Sequence, residues 1–149
     1  MQDVVSATVD ASEVARFEKI ARTWWDAQGP MGVLHKFNPV RLQVIRDEAA
    51  KHFRRDIGTG KPLEGLSLLD IGCGGGATTF AIADSMGASG SVIGVDISQS
   101  LIRDCRLRAE HQGIKNIEFI CGDAASIDMP VGAVASVITG RGLPSAMAL

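Results

Sequence analysis

The run Leu68-Leu69-Asp70-Ile71-Gly72-Cys73-Gly74-Gly75-Gly76-Ala77 carries the strongest chemical signal in the chain. An apolar stretch leads into a carboxylate and then into a turn so rich in glycine that a ligand can press against the main chain. Two more acidic residues fall at comparable points: Asp96 closes the run Val92 to Val95, and Asp123 follows the run Ile117 to Cys121. Carboxylates at the ends of short apolar segments suit a ligand that offers hydroxyls, an amino group and positive charge.

Glycine spacing alone leaves the ligand open. Gly72, Gly74 and Ala77 also satisfy the dinucleotide fingerprint, in which a pyrophosphate rests on a helix N-terminus. Asp70 favours something else. Like unit charges about 4 Å apart repel by about 4 kcal/mol at an effective dielectric of about 20, so a carboxylate beside the turn disfavours a pyrophosphate and attracts a cation. S-adenosylmethionine has an ammonium, a sulfonium and no phosphate. Asp70 is therefore expected at the cofactor's ammonium, with Gly72, Cys73, Gly74 and Gly76 giving close backbone approach to its methionine and ribose portions. Asp96 is expected at the ribose, where the carboxylate accepts from both hydroxyls, with its neighbour Ile97 among the cofactor contacts; capping the following helix is the competing role for Asp96. Asp123 and Ala124 are expected at the adenine, against the alternative of a plain turn aspartate.

The elements that must position these residues follow from periodicity. Asp10 and Glu13 suit the start of a helix whose apolar side is Val14, Phe17, Ala21, Trp24 and Trp25. Gln28 to Gly32 breaks it. Asn38-Pro39 suits the start of a second helix with Leu42, Ile45, Ala49 and Phe53 buried, and a polar loop follows from Arg54 to Leu63. Strands are expected over Leu66 to Ile71, Val92 to Val95, Ile117 to Cys121 and Val134 to Thr139. Between them lie a helix through Phe80, Ala83 and Met86 that stops near Gly87, and another capped by Ser98 or Ser100 that buries Leu101, Ile102, Cys105 and Ala109 and ends at Gly113. Strand, helix, strand, helix, strand specifies an α/β fold with right-handed crossovers in a parallel sheet. Residues 1–60 form an N-terminal helical extension in this scheme, and residues 61–149 the cofactor-binding domain.

Composition excludes other classes. The 149 residues are 46% hydrophobic and 21% charged with a formal net charge of -2, which describes a globular chain without an electrostatic footprint for nucleic acid. No apolar stretch reaches the roughly 18 residues that span a bilayer, and the N-terminus, with Asp3, has no leader pattern, so a cytoplasmic protein is expected. Cys73, Cys105 and Cys121 lack the spacing of a zinc site or a disulfide framework and are expected to be free buried thiols, with no metal bound. The Trp24-Trp25 pair suits either the core or the wall of an apolar substrate pocket. His35 is left outside the catalytic set.

Leu69-Asp70-Ile71-Gly72-Cys73-Gly74-Gly75-Gly76, Gly94-Val95-Asp96 and Gly122-Asp123-Ala124 together resemble the class I S-adenosylmethionine-dependent methyltransferases, over roughly residues 64 to 139. The N-terminal segments Val14-Ala15-Arg16-Phe17, Trp24-Trp25-Asp26, Gly29 and Leu34-His35-Lys36-Phe37-Asn38-Pro39-Val40-Arg41-Leu42 resemble the ubiquinone-biosynthesis O-methyltransferase family, which methylates hydroxyls of polyprenyl-phenol precursors. That likeness implies a Rossmann-like sheet, a polyprenyl hydroxyphenol as methyl acceptor, at most peripheral membrane contact, and cofactor contacts at Arg41, Gly72 and Asp96. A cation in the first turn of a helix opposes the dipole by about 0.3–1 kcal/mol, so Arg41 is expected to face an anion such as the cofactor carboxylate, with a solvated arginine as the alternative.

Some residues depart from the family. Ala77-Thr78-Thr79-Phe80-Ala81-Ile82-Ala83 and Asn116-Ile117-Glu118-Phe119 look more like general small-molecule methyltransferases, and Ala135 stands where such enzymes usually have Asp. Gly140 to Ser145 does not continue the pattern, and the family's metal-binding and deprotonating residues after the fourth strand find no match, so the catalytic base is unassigned. A sheet of order 3-2-1-4-5-7-6 that stops after four strands leaves the fourth as an edge, which invites self-association or a partner chain. The chain is thus expected to be the cofactor-binding part of a methyltransferase. An NAD-dependent oxidoreductase fragment and a non-catalytic interaction subunit are the two competing readings.

Overall fold

The computed structural model describes residues 10–21, 23, 25–29, 32–126 and 136–139. Helix α1 spans Ala11–Ala21 and helix α2 Gly32–His52; then alternate β1 Ser67–Ile71, α3 Ala77–Met86, β2 Ser91–Asp96, α4 Gln99–His111, β3 Ile117–Cys121 and β4 Ser136–Thr139. The four described strands are parallel in the order β3-β2-β1-β4, with Asp70 opposite Gly94 on one side and Ile138 on the other. β1 is thus the inner strand that carries the glycine turn, and β4 is the last in this order of described strands.

Burial follows the apolar spacing. Leu68, Ile82, Ala83, Met86 and Val92 join Ile45 and Ala49 of α2 in one cluster, against which Leu42 and Phe53 pack. Ile102, Cys105 and Ala109 of α4 join Cys73 and Phe119 in a second. Ser98 caps α4, its hydroxyl accepting from the Leu101 N–H at 3.4 Å, and Gly113 takes the left-handed conformation just beyond the helix end. Asp10 caps α1 by accepting from the Ser12 N–H at 2.8 Å, while Glu13 pairs with Arg16 at 3.8 Å.

Three expectations are corrected. Helix α2 begins at Gly32, a turn and a half before Asn38, and runs through Pro39. A proline inside a helix removes a hydrogen bond and costs about 3 kcal/mol, but the flanking Asn38 side chain ties this turn to α3. The Thr78 hydroxyl donates to Asn38 Oδ1 at 2.9 Å, and Asn38 Nδ2 donates to the Ala77 carbonyl at 3.4 Å. Helix α1 ends at Ala21, where the Thr23 N–H and hydroxyl both turn back onto the Ile20 carbonyl, so Trp25 lies beyond the helix and is 43% exposed. Its ring stacks beneath the Arg108 guanidinium, 3.8 Å from centroid to carbon, and lies 5.4 Å from the His35 ring. Trp24 lies outside the described residues, as do Ala135 and Gly140 to Ser145. Finally, Cys121 is exposed whereas Cys73 and Cys105 are buried. β3 borders no further described strand, and its outward end leaves Cys121 uncovered.

Gly94 is closely packed within β2. A Cβ there would stand 2.8 Å from the Phe119 ring and 3.1 Å from Cys73 Sγ. Gly94→Ala is expected to lower stability by about 1–3 kcal/mol through overpacking; urea unfolding checks this, and an unchanged midpoint would contradict it.

Candidate functional site

The site is built on the C-terminal ends of β1, β2 and β3. Past Ile71 the chain turns through Gly72, Gly74 and Gly76, whose φ angles of 72°, 55° and 81° lie in the left-handed region that other residues rarely adopt. This lets the turn fold back onto β2. The N–H groups of Gly72 and Cys73 donate to the Val95 carbonyl at 2.8 and 3.0 Å, and the Gly74 N–H donates to Asp96 Oδ2 at 2.8 Å. The other Asp96 oxygen, Oδ1, accepts from the Ser98 N–H at 2.9 Å. Asp96 is thus held at both oxygens by backbone, half-buried, with acceptor capacity left on each oxygen for a further donor. Its helix-side contact is to the Ser98 N–H; the cap itself is the Ser98 hydroxyl.

Beneath the turn, two thiols face one carbonyl. Cys73 and Cys105 donate to the Gly74 carbonyl at 3.9 and 3.6 Å, and burial pushes both thiols up, Cys105 to about 12, so they remain protonated donors. Cys105 also fixes Gly76, where a Cβ would meet its Sγ and the Phe80 ring at 3.0 Å. Gly76 begins α3 without any side-chain cap.

Asp70 lies below this turn, not at its mouth: it is 2% exposed and accepts from the Thr79 hydroxyl at 2.7 Å. Burial pushes its pKa up to about 6; the Thr79 hydrogen bond and the positive charge of Arg41 pull against that rise, and the negative charge of Asp96 adds to it.

Arg41 comes to the same region from α2. Because α2 starts at Gly32, Arg41 stands well inside the helix, and the expectation that it opposes the dipole in a first turn is withdrawn. It is tied to α3, where Arg41 Nη1 donates to the Thr78 hydroxyl at 3.4 Å. At the far side, the Gly122 N–H donates to the Asp96 carbonyl at 3.0 Å, which sets Asp123 beside the end of β2. Asp123 Oδ1 accepts from the Ala125 N–H at 2.9 Å, Ala124 is exposed, and Ile97 is half-buried between Asp96 and Ser98. The expected positions Arg41, Asp70, Gly72, Cys73, Gly74, Gly76, Asp96, Ile97, Asp123 and Ala124 thus converge on one edge of the sheet.

Four residues with a stake in this edge were missed in the sequence. Thr78 and Thr79 follow the glycine turn as paired hydroxyls, a signal that could have marked them, and Asn38 reads as a helix cap until α2 is seen to pass through it. Glu18 gives no local signal. From α1 it accepts from the Ser98 hydroxyl at 2.7 Å and from the Ser100 hydroxyl, and these bonds hold its carboxyl below the usual range. Among the described residues no cluster of His, Cys, Asp and Glu is arranged to hold a metal ion, and no helix is long and apolar enough to cross a membrane.

Comparison with known proteins shows the family. The chain is 48% identical over 114 residues to the ubiquinone biosynthesis O-methyltransferase of Methylobacterium nodulans, which covers 76% of this chain and 45% of that protein. It is 52% identical over 107 residues to the protein of the same name from Methylobacterium sp. (strain 4-46), covering 72% and 42%. The chain therefore spans a little under half the length of these curated relatives. Its fold is similar to that of a SAM-dependent methyltransferase from Aquifex aeolicus, with a TM-score of 0.50 at 20% identity over 88% of this chain and 56% of that one. A Methanococcus maripaludis protein gives a TM-score of 0.54 at 16% identity, over 95% and 55%. Residues 62–138, from the end of the surface loop into β4, match the methyltransferase domain family, and the chain belongs to that family.

Proposed function

We propose that this chain binds S-adenosylmethionine and forms the cofactor-binding part of an O-methyltransferase of ubiquinone biosynthesis, acting on a hydroxyl of a polyprenyl phenol. The observation that carries the reading is Asp96, a carboxylate fixed at both oxygens by backbone N–H groups at the end of β2, beside a turn with three left-handed glycines. Fixed in this way, it offers its remaining lone pairs to a vicinal diol without first having to be ordered. The near 50% identity to ubiquinone biosynthesis enzymes supports the acceptor class.

In this reading Asp96 and Ile97 take the ribose, Asp123 and Ala124 the adenine, and Gly72, Cys73, Gly74 and Gly76 the close main-chain approach. Asp70 stabilises the ammonium, and Arg41 with the uncapped start of α3 takes the carboxylate. Bound there, S-adenosylmethionine supplies a methyl on a sulfonium, open to in-line displacement by a hydroxyl oxygen. The chain's own residues position the cofactor for that step. We assign no residue of this chain as the base. Residues 1–60 serve as the helical extension and 61–149 as the cofactor domain, in a cytoplasmic protein that touches membrane peripherally at most. The side of β4 that faces away from β1 has no neighbour among the described strands, and we propose it as the surface for self-association or a partner chain. Family membership and the buried carboxylate under the turn both weigh against the nicotinamide reading.

Calorimetry with S-adenosylhomocysteine tests the ribose assignment: Asp96→Ala is expected to weaken binding by about 100-fold, the loss of two hydrogen bonds to a charged acceptor. Unchanged affinity would refute it. Asp70 yields a second test with opposed signs. Its folded pKa of about 6 lies above the unfolded value of 3.8, so its contribution to stability is full below pH 3.8 and is lost as pH rises through 6. Asp70→Asn is expected to be more stable than the wild type at pH 8, by up to about 3 kcal/mol, with the difference fading toward pH 4, while its affinity for S-adenosylhomocysteine falls. Urea melts at both pH values check this, and a less stable variant at pH 8 would overturn it.

A further inference from the structure

Arg41 belongs to α2, but its guanidinium is tied into a relay that crosses to α3. Its Nη1 donates to the Thr78 hydroxyl at 3.4 Å, and that hydroxyl donates to Asn38 Oδ1 at 2.9 Å. Asn38 Nδ2 then donates to the Ala77 carbonyl at 3.4 Å, in the first turn of α3. A hydroxyl has one proton, so with Asn38 Oδ1 as its acceptor the oxygen of Thr78 turns its lone pairs toward Arg41. Thr78 is buried and Asn38 and Arg41 are half-buried, which shields the relay from competing water. Asn38 and Arg41 sit three residues apart on one side of α2, so both reach the same turn of α3. No intrahelical need accounts for the arrangement. Asn38 directly precedes Pro39, and its amide group is committed on both sides to α3.

We infer that Thr78 and Asn38 are positioning residues for Arg41: they fix its guanidinium at the start of α3 so that it meets the carboxylate of a cofactor's amino-acid portion already oriented. The inference rests on the S-adenosylmethionine reading above. A guanidinium recognises a carboxylate through a planar fork, and rotation of that plane forfeits one of two bonds. The relay therefore adds selectivity for a ligand that carries a carboxylate, separately from the grip on its ribose and adenine. Arg41 also lowers the charge cost of Asp70 beneath, so the same orientation serves both ends of the amino-acid portion.

The test uses two ligands, S-adenosylhomocysteine and its decarboxylated form, which keeps the amine and the adenosyl group. Calorimetry is run on the wild type, Thr78→Val, Thr78→Ser and Asn38→Leu. The wild type is expected to prefer the carboxylate-bearing ligand. Thr78→Val and Asn38→Leu are expected to lose roughly tenfold in affinity for it, about one hydrogen bond's worth, and to leave the decarboxylated ligand unchanged. Thr78→Ser, which keeps the hydroxyl, is expected to restore the preference. Equal weakening of both ligands would mean that the relay is only a tether between helices and would overturn the inference. So would variants that bind both ligands as the wild type does. A wild type that binds neither ligand would overturn the S-adenosylmethionine reading itself, and the inference with it.

Discussion

The hydrogen bond from the Gly74 N–H to Asp96, at 2.8 Å, is the constraint on which the site depends. It joins the turn after β1 to the end of β2, and it forms only because Gly72, Gly74 and Gly76 accept backbone angles that a side chain would strain. The Val95 carbonyl takes the two preceding N–H groups, and the Asp96 carbonyl takes that of Gly122, so three strand ends are sewn together by backbone alone. Burial of Cys73, Cys105 and Phe119 beneath the turn then fixes its height above the sheet. Side chains that face a ligand inherit their positions from this frame.

Asp70 shows what the frame costs. A carboxylate 2% exposed in the central strand is destabilising at neutral pH, and one hydroxyl from Thr79 with the field of Arg41 offsets only part of that. A neutral residue of the same shape would fold more easily. A buried charge only partly compensated, retained under a glycine turn, is the kind of conflict that marks a functional site, since a cation arriving above it adds to that compensation. The Cys73 and Cys105 thiols are the opposite case. They stay neutral, pack as small apolar groups and need no ligand.

Local pattern was enough for the sheet and its crossovers. Ser67–Ile71, Ser91–Asp96 and Ile117–Cys121 are short, mostly apolar runs, and Leu101, Ile102, Cys105 and Ala109 keep helical spacing and are all buried. The start of α2 was not legible, because Asn38-Pro39 has the chemistry of a helix start and only the contact with Thr78 shows that Asn38 is spent elsewhere. Arg41 is marked by the family likeness, but the helix-end argument for it fails because no helix starts there; its hydrogen bond to Thr78 reaches 37 positions along the chain. Glu18, 80 positions from Ser98, could not be foreseen from any window of sequence. Turn chemistry and periodicity are local, whereas these contacts exist only once α1 and α2 have docked.

A crystal structure of this chain with S-adenosylhomocysteine tests the central constraint most directly. Both ribose hydroxyls are expected within hydrogen-bond distance of Asp96 while the Gly74 N–H stays on its Oδ2. A ribose bound elsewhere, or a Gly74 N–H turned away from Asp96 to reach the ligand, would contradict it.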